Sequence, residues 1–264
     1  MDSKINTGAS HPATNNKIFN LITKNITSSS KILDFGSGSG HMTQQIGQHL
    51  EKNDIDLSEK LFACEIAPKD FLYEKIKCIK IESDSKIPFD DNFFDLIYSI
   101  EVLEHMTRPY DSFIESYNKL KIGGTLIFST PNISQFKSRL SFLFSGYPEM
   151  YGPLSTKSKN AGRISGHIMP LSFNNFNYGL RKAGFDSIRF HIDKRKKSAL
   201  IPALLIYPLL RFASYKVSKK LKNFDNEIYL ENSESISFIN SLDALSSRSC
   251  IVVAKKKFLN SLIS

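Results

Sequence analysis

Ile32-Leu33-Asp34-Phe35-Gly36-Ser37-Gly38-Ser39-Gly40 decides the fold of this 264-residue chain. An apolar run ends in an acid, and three glycines then alternate with small residues before a helical pattern begins near His41. Physically this is a buried strand, a tight turn and the start of a helix. Glycine at alternate positions lets a ligand approach the backbone with no Cβ in the way. The helix start just beyond offers free N–H donors.

Working outward, the chain keeps a strand–helix rhythm. Residues 42–50 read as helix, Lys60 to Ile66 as a second strand, and 69–77 as a short helix. Residues 78–81 and 93–99 are the third and fourth strands. A helix from Pro109 to Lys121 is expected to stop at Gly123-Gly124, before a fifth strand over 125–129. This alternation implies a parallel sheet covered on both faces. After Pro131 the rhythm breaks, to return as a helix over 172–183 and a strand over 185–192; Cys250-Ile251-Val252-Val253-Ala254 is the last strand.

The expected organisation is one domain over 1–264. Residues 1–30 form an N-terminal helical extension with a flexible start, and 31–131 the binding core. Residues 132–170 are a lid insertion rich in Phe and Tyr. Residues 171–192 and 249–257 complete the core, and 193–248 form a basic, apolar insertion.

Hydrophobic content is 41% and charged content 23%, an ordinary globular balance. Cys64, Cys78 and Cys250 are odd in number and lack metal-type spacing, which fits a reduced, cytoplasmic setting. No apolar signal core opens the chain, and no apolar run reaches the roughly 20 residues that span a bilayer. The formal charge is +9, and its placement tells more than its size. Residues 194–222 hold nine Lys or Arg and no acid; without them basic and acidic residues are equal at 26 each. That argues against a nucleic-acid-binding face.

The glycine spacing is G-x-G-x-G, not the G-x-G-x-x-G that seats a pyrophosphate. Further along stand Glu65 at the end of the second strand, Ile87-Pro88-Phe89-Asp90-Asp91-Asn92-Phe93-Phe94-Asp95, and Ser99-Ile100-Glu101-Val102-Leu103-Glu104-His105. In this order the pieces resemble the class I S-adenosylmethionine (SAM) methyltransferases. They match the small-molecule group with ubiquinone-pathway and sugar O-methyltransferases, often called methyltransferase type 11. The resemblance covers roughly residues 30–131, with a weaker match at 167–192.

The resemblance implies a Rossmann-like α/β fold: a seven-stranded, mainly parallel sheet with an antiparallel last strand and insertions forming a lid. It implies SAM as cofactor, held by Asp34, Gly36, Gly38, Gly40, Glu65, Asp84 and Ser99. Glu65 would take the ribose diol, as a carboxylate accepts two hydrogen bonds side by side. The adenine amine falls to the Glu82-Ser83-Asp84 stretch, with Asp84 preferred over Glu82. Asp34 belongs near the methionine end or to the glycine-turn backbone.

Glu101, Glu104 and His105 have i, i+3, i+4 spacing, which on a helix puts them on one face. Some relatives carry a metal-binding E-x-x-E-H, and His167 supplies a further histidine downstream. Two readings stay open. Glu101, Glu104, His105 and His167 ligate a cation such as Mg²⁺, or His105 and His167 serve the substrate chemistry without metal.

The substrate expected is a glycan, lipid-linked sugar or related small metabolite methylated on oxygen, with a quinone-pathway substrate as the nearest rival. A non-catalytic SAM-fold module at a membrane is the alternative from a different class. The 194–222 segment suits peripheral contact with an anionic membrane at its inner face; the competing reading is a pocket cap or an oligomer contact.

Overall fold

The computed structural model describes residues 10–157 and 166–257. The flexible start expected within 1–30 falls on residues 1–9, and the middle of the 132–170 lid on 158–165; both lie outside the described residues.

Strands β1 (Ile32–Phe35), β2 (Leu61–Glu65), β3 (Cys78–Lys80), β4 (Phe94–Ile100), β5 (Leu120–Pro131), β6 (Phe185–Ile192) and β7 (Ser249–Lys256) form one sheet in the order 3-2-1-4-5-7-6. The β1–β2, β1–β4, β2–β3 and β4–β5 pairs are parallel, and β7 runs antiparallel between β5 and β6. The seven-stranded sheet with its antiparallel last strand is thus observed. The order reverses between β1 and β4, so a crevice opens at their C-terminal ends.

Strand alternation builds two cores. Ile32, Leu96, Tyr98, Ile251 and Val253 face α1 (Pro12–Asn25) and α2 (His41–Glu51), where Ile18, Ile22, Met42 and Ile46 cover them. Leu33, Ile97, Phe128 and Val252 face the other way, onto Phe113 of α3 (Pro109–Lys119) and Phe176 and Leu180 of α5 (Phe173–Ala183). Pro at the start of α3 and a Ser172–Asn175 capping box at α5 set where these helices begin.

Three local expectations are corrected. The helix expected over 69–77 is a 3₁₀ turn at Pro68–Asp70 followed by extended loop. Helix α3 stops at Lys119, because Leu120 turns extended to pair with Phe94; Gly123-Gly124 lies inside β5. The apolar stretch beginning at Ser198 is not short: it continues through both prolines in the 28-residue helix α6 (Lys197–Phe224). By length and composition α6 is long and apolar enough to cross a membrane, the one such helix among the described residues. Arg211 is the only charge between 198 and 215, which is why the apolar window lengthens.

Helices α7 (Asn226–Ile239) and α8 (Leu242–Ser246) follow α6. Phe238 of α7 packs edge-on against Phe173 and close to Phe190, so this part of the insertion extends the helical layer beside α5 and β6. Phe136 of α4 (Phe136–Ser145), Ala203 of α6 and Leu245 of α8 form a small core cluster where these helices meet.

Candidate functional site

The C-terminal ends of β1, β2, β3 and β4 carry the residues singled out in the sequence. The glycine turn leaves β1 with Gly36 N–H donating to the Cys64 carbonyl at 3.0 Å, and Gly40 caps α2. A Cβ on Gly36 would lie 2.7 Å from a Val102 methyl, so the turn rests directly on the segment leaving β4. A Cβ on Gly38 would meet nothing within 4 Å: its φ is +52° and it borders open space. Space beside that turn is what a nucleoside ligand needs there.

Glu65 closes the turn from the side. Its Oε2 accepts from Gly38 N–H at 2.8 Å, and its Oε1 from Ile66 N–H at 2.7 Å. It is therefore Glu65, and not Asp34, that bonds the glycine-turn backbone. Asp34 points into the sheet, fully buried, with its Oδ2 accepting from the Thr43 hydroxyl at 2.6 Å and the Tyr98 hydroxyl at 2.9 Å. Burial pushes its pKa up to about 7, against the pull of those two hydroxyls. Neither the Thr43 nor the Tyr98 partnership was legible in the sequence, since each lies on a different element with no motif spacing.

Asp84 accepts from the Thr107 backbone N–H at 3.0 Å, which ties the exit of β3 to the loop after β4. Glu82 points outward and pairs with Lys80. Ser99 is buried on β4 opposite Phe128, its hydroxyl without a hydrogen-bond partner among the described residues.

The acids after β4 do not share a helical face. Glu101 has φ +55°, a left-handed conformation uncommon for a residue with a Cβ, and Leu103–His105 is a single 3₁₀ turn. Glu101 is thereby sent toward β5, where Ser129 donates to it at 3.1 Å. Glu104 goes inward to meet His105 and His167, and donor atoms of those three lie within 4.8 Å of one another.

Glu104 is 1% exposed, and neither carboxylate oxygen has a partner of hydrogen-bond geometry. Burial, then repulsion from Glu101, holds its pKa well above the usual carboxylate range. Burial, then the neighbouring His105, lowers that of His167. The His105 and His167 rings meet edge-on at 4.9 Å, and Tyr151 packs 5.2 Å from His167 on the other side. The segment carrying His167 is fixed by two backbone bonds, from Ile168 and Met169 N–H to the Glu104 carbonyl. His105 Nδ1 lies 3.1 Å from the Gly166 carbonyl. A carbonyl only accepts, so in the neutral ring Nδ1 carries the hydrogen and Nε2 holds a free lone pair.

These residues do not fit Mg²⁺. With Glu101 turned away the donor set is two imidazoles and one carboxylate, and Mg²⁺ wants oxygen.

A family profile described as "Methyltransferase domain" matches residues 33–128. The fold resembles a SAM-dependent methyltransferase from Archaeoglobus fulgidus at a TM-score of 0.54 and 13% identity, covering 92% of this chain and 94% of that one. Residues 33–128 are a methyltransferase domain. Among curated proteins this chain is 25% identical over 173 residues to the ubiquinone/menaquinone biosynthesis C-methyltransferase UbiE of Stutzerimonas stutzeri, covering 61% of its own length and 67% of the relative's. It is 30% identical over 135 residues to the sterol 24-C-methyltransferase ERG6B of Gibberella zeae, covering 46% of its own length and 35% of the relative's. The chain thus spans between about a third and two thirds of the length of these relatives.

Proposed function

We propose that the methyltransferase moves the SAM methyl group to a hydroxyl oxygen of a glycan, lipid-linked sugar or related small metabolite, with His105 as proton acceptor. The observation that carries this reading is the His105–Gly166 contact. It leaves a free lone pair at Nε2, on the segment against which the glycine turn packs. SAM supplies a methyl group made electrophilic by a sulfonium. The chain's own residues have the remaining tasks: Glu65 and the turn position the nucleoside, and His105 Nε2 takes the hydroxyl proton as oxygen bonds to the methyl carbon and the carbon–sulfur bond breaks, its electron pair leaving with the thioether product. His167, beside the buried Glu104, packs edge-on against the His105 ring.

The test is methyl-labelled SAM incubated with the enzyme and fractionated extract of its own cells. Label should enter lipid or lipid-linked glycan, with the product methyl on oxygen by NMR. His105→Gln should lower kcat by about 10²- to 10⁴-fold with SAM affinity unchanged. Undiminished turnover in that variant would remove His105 from the chemistry.

The names of the curated relatives favour a second reading, C-methylation of a quinone-pathway ring. Labelled methyl on ring carbon would establish it. Either way, a donor set of two imidazoles and one carboxylate predicts activity that is insensitive to EDTA and to added Mg²⁺. Loss in chelator with recovery on adding Zn²⁺ or Mn²⁺ would instead make Glu104, His105 and His167 a metal centre.

A further inference from the structure

Helix α6 has two apolar faces, and the fold uses only one. Ala199, Ala203 and Ser214 are buried and Leu210 is partly buried, at spacings of four and seven, against α4, α7 and α8. On the opposite side Ile201, Leu205, Leu209 and Phe212 recur at the same helical spacing and are 66%, 81%, 67% and 54% exposed. Soluble surfaces rarely carry a contiguous apolar stripe of this kind without a partner.

Charge identifies that partner. Further along the same outward side the stripe gives way to Lys216, Lys219 and Lys220; Lys194, Arg195 and Lys196 precede the helix and Lys197 opens it. The acids of the region, Glu227, Glu231 and Glu234, sit on α7, and Arg189 already engages Glu234. The adjoining α4 ends in Phe142, Leu143 and Phe144, which are also exposed. We infer that the outward face of α6 docks the enzyme on an anionic phospholipid bilayer, its apolar side chains entering the headgroup boundary and the lysines meeting lipid phosphates.

Lying on the membrane, not crossing it, fits three features. The inward face is committed to protein packing. The apolar stripe from 201 to 215 is about 21 Å long, short of a hydrocarbon core of about 30 Å. Pro208 removes the N–H that would bond the Leu204 carbonyl, and water reaches that carbonyl only near the surface. The inference does not depend on which acceptor the enzyme methylates, because its readout is binding.

The experiment is flotation of the full chain with vesicles of phosphatidylcholine alone or mixed with phosphatidylglycerol. Binding should require the anionic lipid and weaken as salt rises. Lys216→Glu, Lys219→Glu and Lys220→Glu combined should weaken it by about 100-fold, and Leu205→Glu with Leu209→Glu by at least about tenfold. Both sets are solvent-exposed, so SAM affinity should stay unchanged and certify the fold. Absent flotation, or equal flotation on neutral vesicles at every salt concentration, would overturn the proposal. So would a dimer in solution that Leu205→Glu with Leu209→Glu dissociates, since the stripe would then serve a second copy of the chain.

Discussion

Replacing Glu65 with alanine is expected to weaken SAM binding by on the order of 100-fold while the chain stays folded. The carboxylate is well placed to grip a diol, standing at the end of β2 beside the open space at Gly38. A hydrogen bond to a charged group contributes about 1.5–3 kcal/mol, and losing two at the low end is about 3 kcal/mol, or roughly 100-fold. The same residue holds the turn through Gly38 and Ile66, so the substitution also loosens the frame around the ligand. Glu65→Gln keeps one accepting oxygen and should fall between alanine and the native residue. Titration calorimetry with SAM and with its demethylated product reads both. An unchanged affinity in Glu65→Ala would take Glu65 out of the site.

The second large effect concerns Asp34 and pH. Its carboxyl shifts from an ordinary 3.8 to about 7 in the fold, so the folded chain holds the proton more tightly than the unfolded one. For a raised acid, stability is greatest below the unfolded value and is lost as pH rises through the folded one. At about 1.4 kcal/mol per unit, the loss between pH 4 and 8 is up to about 4 kcal/mol. A proton on Oδ1 leaves both bonds to Oδ2 intact, so asparagine can take the place of the protonated acid. Glu104 titrates in the same sense and His167 in the opposite one, so the informative quantity is the difference between proteins. Thermal melts at pH 5 and pH 8 should show Asp34→Asn gaining on the native enzyme as pH rises. Parallel curves would mean that Asp34 is ionised in the fold at both pH values.

What could be read from the sequence was whatever repeats or stands adjacent. The strands announced themselves through apolar runs of the right length, and the glycine turn through contiguous residues. Asp34 shows where such reading ends: an acid closing a strand beside a glycine turn looks like a ligand contact. Its true partners, Thr43 and Tyr98, come from a helix and another strand and are brought together only by the sheet. Glu101 shows a different limit. Its spacing to Glu104 and His105 is helical, but one residue in the left-handed region turned its side chain to Ser129, and spacing carries no record of that. In α6 the helix runs through Pro202 and Pro208, with Ala199, Ala203 and Leu210 packed on its inward side.

The position of β7 between β5 and β6 bears on the order in which the chain assembles. Among the described strands β6 pairs with β7 alone, so residues 185–192 have no sheet edge to join until residues 249–256 arrive. A ribosome-bound chain can therefore close β1 to β5 early, while β6 waits for a strand made more than fifty residues later. Until then the apolar side chains of α5 lack the cover that β6 and β7 give them. Long-range antiparallel closure of this kind is slow and exposed to misassociation. The last strand thus works as the latch of the whole domain.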